Sequence, residues 1–139
     1  MQEIWKNRTF PALVESIPEI GGFVEEVALR AGLDPGRILH LQLVTDEVVS
    51  NVCRYAYKEQ GGQVGVSTGI RDSRFILEFC DEGIPFDPLG LPDPDTKAGI
   101  SEREPGGLGV FLVRRIMDEV CYRRQEGKNV LTLILHLPG

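Results

Sequence analysis

Apolar positions follow two different periods along this chain, and the alternation between them predicts its elements. From Ser16 to Ala31, Ile20, Phe23, Val24, Val27 and Ala31 recur at helical spacing, and Gly32 supplies a stop. From Asp34 to Lys58, Ile38, Leu41, Val44, Val48, Val52 and Tyr55 form one stripe, with Asp34 suited to N-cap and Pro35 to the first turn. A third helix runs from the glycine cluster at 106–109 through Asp118. Strands are predicted at 63–70 and 74–81, where Phe75, Leu77 and Phe79 alternate with Ile76, Glu78 and Cys80. Two more fall at 119–125 and 129–137, joined by a turn at Glu126-Gly127-Lys128. Residues 5–14 alternate poorly and contain Pro11, which predicts an edge strand.

Strands paired as hairpins, with helices between the pairs, imply an α+β class. The expected architecture is a two-layer sandwich: a mixed, mostly antiparallel sheet covered on one face by three helices. With 139 residues the chain is long enough for one core and short for two, so 1–139 reads as a single domain. A net charge of −6 argues against a nucleic-acid binder, which wants a basic face. No apolar run approaches the ~20 residues of a membrane span, and the N-terminus lacks the apolar core of a secretory signal. The expectation is a cytoplasmic protein. Cys53, Cys80 and Cys121 are odd in number and set in apolar segments, so they read as buried thiols rather than disulfides or metal ligands. His40 and His136 have no ligand pattern around them and read as structural.

Candidate chemistry begins on the second helix. Glu47 and Asn51 are four residues apart, so both emerge on one side of it. A carboxylate can accept a proton, and an amide oxygen can coordinate a hard cation. The strand at 74–81 ends in Asp81-Glu82-Gly83. Beyond it, residues 84–105 hold Pro85, Pro88, Pro92, Pro94 and Pro105, and a loop of this length in a small domain suggests a lid or binding loop. Gly106-Gly107-Leu108-Gly109 then opens the third helix, where free amides favour an anion.

Glu47-xxx-Asn51, Asp81-x-Gly83, a variable lid and Gly107-x-Gly109, in this order, resemble the N, G1 and G2 boxes of the Bergerat-fold, histidine kinase-type ATPases. Within that superfamily, DEGIPFDP and GGLGVFLVRRIMDEV look most like the anti-sigma-factor serine kinases of bacteria. The resemblance implies ATP and Mg²⁺ as ligands. Asn51 would hold the metal and Glu47 would act as general base toward a serine hydroxyl. Asp81 would accept from the adenine amino group, and Gly83 would let the ring approach. Gly106, Gly107 and Gly109 would set amides against the phosphates. Arg103 is the candidate for the basic residue that often precedes the glycine cluster in such proteins, displaced by about two positions, and Tyr55 stands where a histidine is usual.

The resemblance further implies an anti-anti-sigma partner of STAS type bearing the target serine, a sigma factor as second partner, and a homodimer. Against the kinase stands a nucleotide-binding module that controls partner choice without catalysis. A detached catalytic domain of a sensor histidine kinase fits less well, since His40 lies inside the nucleotide-binding helix.

Overall fold

A computed structural model describes residues 3–90 and 107–138. The order of elements is β1 (Ile4–Pro11), α1 (Ile17–Arg30), α2 (Pro35–Asn51), β2 (Gln63–Arg71), β3 (Arg74–Asp81), α3 (Gly107–Ile116), β4 (Glu119–Gln125) and β5 (Lys128–His136). The strands form one sheet in the order β1-β2-β3-β5-β4, and every pairing is antiparallel, where a partly mixed sheet was expected. The edge position expected from Pro11 is the one β1 occupies.

Local chemistry fixes the ends of these elements. Asp34 caps α2 by accepting from the Arg37 amide at 2.8 Å, with Pro35 in the first turn. Gly32, at φ +84°, closes α1: its amide reaches Leu29 O at 3.0 Å and the Leu33 amide reaches Ala28 O at 3.0 Å, the paired bonds of a Schellman end. Asp72 and Ser73 turn β2 into β3 with positive φ at both positions, and Glu126 and Gly127 do the same between β4 and β5.

The core lies between the sheet and the helices. Phe10, Phe75, Leu77, Phe79 and Leu133 point from the strands toward Ile20, Val24, Leu41 and Val44, all at most 2% exposed. Each such side chain contributes about 1.5–3 kcal/mol by leaving water. Period two therefore sorts the sheet into a covered face and an open one. The open face corrects one expectation: Cys53 is buried, but Cys80 is only half-buried and Cys121 is exposed. Cys80 points away from the helices, and Cys121 sits on an edge strand, so neither has a second layer over it. No helix among the described residues is long and apolar enough to cross a membrane.

The long second helix also ends earlier than its apolar stripe. Regular α-helix stops at Asn51, and residues Val52–Ala56 continue as a π turn in which the Tyr57 amide reaches back five residues to Val52 O at 3.0 Å.

Candidate functional site

Asn51 stands three residues beyond Val48 on the stripe that α2 turns to the core. It is an amide placed where the pattern calls for an apolar side chain, and it is 4% exposed. No hydrogen bond to its side chain is made by the described residues. Glu47, one turn earlier, falls at the margin of the same face and is half-buried. Burial pushes its carboxyl above the ordinary value, Asp46 adds to the rise, and Arg54 opposes it.

A small cavity of about 30 Å³ lies beside Asn51. Val48, Phe79 and Leu131 form part of its apolar lining, and Phe86 and Leu89 stand on the segment after β3. Tyr55, carried on the π turn, stacks on Phe86 with ring centroids 5.0 Å apart and planes 21° from parallel. The break in helical register after Asn51 thus puts an aromatic ring behind Phe86, one of the lining residues.

Asp81 ends β3 with 5% exposure, on the same face as Phe79 and Leu77. Its Oδ1 accepts from the Gly83 amide and from the Asn129 side-chain amide, both at 2.9 Å. Burial raises its carboxyl above the ordinary value. The bonds from Asn129 and Gly83 and the charge of Arg124 oppose that rise. Asp81 does not itself border the cavity; Asn129 does. Asp81 lines instead an open groove at the end of the sheet, with Tyr57, Gln63 and Lys128.

Gly83 has a steric reason beyond ligand access. A Cβ there would lie 2.4 Å from the carbonyl oxygen of Ala56, which already accepts from the Ile84 amide at 2.9 Å. The end of the π turn and the start of the segment after β3 are therefore in direct backbone contact. Tyr57 reinforces the joint: its hydroxyl donates to Gln63 O at 2.6 Å and accepts from the Glu82 amide at 2.9 Å.

Three residues of this site escaped the sequence reading. Asn129 pairs directly with Asp81 in the β3–β5 register, and Arg124 pairs with Asn129 in the β4–β5 register. Asp81, Asn129 and Arg124 form a polar row across neighbouring strands, with Tyr122 the third missed residue beside it. Arg124 donates to Gly83 O at 2.8 Å and to Asn129 Oδ1 at 3.2 Å, and Tyr122 donates to the same oxygen at 2.5 Å. The available signal was a polar residue continuing the buried series Leu135, Leu133, Leu131.

Of the expected phosphate-binding residues, Gly107 and Gly109 lie in the first turn of α3. Arg103, Gly106 and most of the expected lid, residues 91–106, lie outside the described residues. Arg114, later on α3, donates to Leu89 O and so ties that helix to the cavity mouth.

A five-stranded antiparallel sheet under three helices, with a cavity between α2 and the sheet, defines a Bergerat-type ATPase domain. The model of the histidine kinase-like ATPase domain family matches residues 10–135, and the chain belongs to that family. It is 27% identical over 125 residues to the serine-protein kinase RsbW of Bacillus cereus strain AH187, covering 87% of this chain and 78% of the relative. The same figures hold for RsbW of Bacillus thuringiensis strain Al Hakam. Among solved structures, the Acinetobacter baumannii histidine kinase AdeS superposes with a TM-score of 0.53 at 15% identity, over all of this chain and 70% of that one, which is a likeness of fold.

Proposed function

We propose that this chain is one ATP-binding domain that acts as a Mg²⁺-dependent protein serine kinase of the anti-sigma type. Its substrate is a serine on a small anti-anti-sigma partner of STAS type, with a sigma factor as the competing partner. The observation that carries the reading is Asn51: a buried amide, free of hydrogen bonds from the described residues, bordering a cavity one turn from a carboxyl of raised pKa. The relatives named as serine-protein kinases support the reaction class.

The residues fit the ligands. Asn51 offers one hard oxygen, and Mg²⁺ normally keeps several waters and binds through few protein groups plus phosphates. When bound, the metal neutralises charge on the transferring phosphoryl group. Asn51 would hold it, and the amides of Gly107 and Gly109, in the first turn of α3, would bind the phosphates. Phe79, Leu131 and Val48 would give a purine an apolar wall, and Asp81, which lies outside that lining and behind Asn129, would accept the 6-amino group of a base reaching past it on Oδ2, the oxygen that no described group reaches. Glu47 takes the proton of the attacking serine. Its raised pKa makes it a stronger base than an exposed glutamate.

Calorimetric titration with Mg-ATP tests this. The native chain binds, and Asn51→Ala and Asp81→Ala each weaken binding at least about tenfold, roughly 1.4 kcal/mol. Retention of full affinity by both variants refutes the assignment. No binding of ATP or ADP by the native chain refutes the nucleotide reading itself.

A further inference from the structure

The side-chain amide of Asn129 is the most heavily hydrogen-bonded group in the site, and nothing in the proposed reaction uses it. Its Nδ2 donates to Asp81 Oδ1 at 2.9 Å and to Ile84 O at 2.8 Å. Its Oδ1 accepts from the Phe86 amide at 3.1 Å, from Tyr122 Oη at 2.5 Å and from Arg124 at 3.2 Å. Every partner on the nitrogen side can only accept in these bonds. The Phe86 amide and Arg124 on the oxygen side can only donate. The amide therefore has a single orientation that satisfies its neighbours. It is 4% exposed, it borders the cavity, and it lies between that cavity and Asp81.

Two consequences follow from that placement. Both donors that reach Asp81, Asn129 and Gly83, converge on one carboxylate oxygen, which fixes the plane of the group and leaves the other oxygen for a ligand. The same amide also holds the backbone at Ile84 and Phe86, so the cavity wall and the carboxylate are set by one side chain.

We propose that Asn129 is the positioning residue for base recognition: it orients Asp81 toward a 6-amino purine and holds the Ile84–Phe86 wall against it. The inference rests on the nucleotide reading above. It adds that selectivity for a 6-amino over a 6-oxo purine depends on a residue that need not touch the base. A 6-oxo group would set an acceptor against an acceptor, and the penalty is large only while the carboxylate cannot turn away.

The test measures dissociation constants of Mg-ATP and Mg-ITP for the native chain, Asn129→Asp and Tyr122→Phe, with circular dichroism and Tm recorded for each. Asn129→Asp keeps the shape and the acceptor side but removes the donor side. The native chain prefers ATP. In Asn129→Asp the ATP-to-ITP preference falls at least about tenfold, chiefly through weaker ATP binding. Tyr122→Phe removes one of three donors to Oδ1, keeps the ring packing, and lowers the preference by a smaller factor; it carries the test if Asn129→Asp fails to fold. An unchanged preference in a folded variant overturns the inference and leaves the nucleotide reading standing. Tighter ATP binding in Asn129→Asp also overturns it, because the amide would then be competing with the base for Asp81. Absence of ATP binding by the native chain overturns both.

Discussion

The two ends of this site are built on opposite plans. At the base end, Asp81, Asn129, Arg124 and Tyr122 are joined to one another and to the backbone at 83–86 by hydrogen bonds of 2.5–3.2 Å. At the end proposed for the phosphates, neither Glu47 nor Asn51 is hydrogen-bonded through its side chain by the described residues, Asn51 being buried and Glu47 half-buried. A satisfied network is rigid, whereas a side chain without protein partners can turn toward a ligand. On the proposed reading, base recognition would be organised before the ligand arrives, and the metal and phosphate groups would meet side chains whose partners come with the ligand. Folding energy orients the first set, and binding energy orients the second.

The largest expected effect breaks the chemistry and leaves the binding. Glu47→Ala loses on the order of 10²–10⁴-fold in phosphoryl transfer to a STAS-type acceptor serine, the usual worth of a general base, with ATP affinity kept. A radiolabel-transfer assay run beside calorimetry reads both: equal transfer by the variant would remove Glu47 as the base, and no transfer by the native chain would leave only a nucleotide-binding module. Gly83→Ala attacks the joint between the two ends. Its Cβ would press on the Ala56 carbonyl, so a loss of about 1–3 kcal/mol in urea-unfolding stability is expected, together with weaker ATP binding. Native stability would mean that the contact relaxes freely.

The smallest effect concerns pH. Glu47 and Asp81 both carry carboxyls raised by burial. A raised folded pKa means the protonated form favours the fold. That contribution is full below the unfolded value near pH 4 and is lost as pH rises through the folded value. Glu47→Gln and Asp81→Asn therefore raise Tm at pH 7, and the gain vanishes toward about pH 4. A fall in Tm at neutral pH in both would show that the charged carboxylates stabilise the fold.

What could be read from the sequence depended on how local the cause is. The three helical stripes, Asp34, Gly32 and the hairpins act within a few residues, and each appears near where its pattern put it, except that α2 gives way to a π turn after Asn51. Asn51 and Glu47 were legible because a four-residue step on a helix is a fixed geometry. Asn129 was not, because its meaning comes from pairing with Asp81, 48 residues away, and no local pattern sets that register. The thiols were misjudged for a related reason. Alternation divides a strand into two faces without saying whether the second is covered, and here Cys80 and Cys121 face outward or lie at an edge. The π turn after Asn51 has no signature separating it from ordinary helix, yet it decides where Tyr55 meets Phe86.

The hairpin at Glu126–Gly127 touches no part of the cavity, yet it works as a ruler. Its two residues of positive φ hold Gln125 opposite Lys128, and that match sets Tyr122 and Arg124 on the same face as Asn129. A slip of one residue would turn both outward and bring Cys121 and Arg123 in their place. Surface turns elsewhere absorb insertions as lineages diverge. This one has less freedom, because a change in its length shifts Arg124, Asn129 and Tyr122, a few residues along the same strand pair at the edge of the pocket.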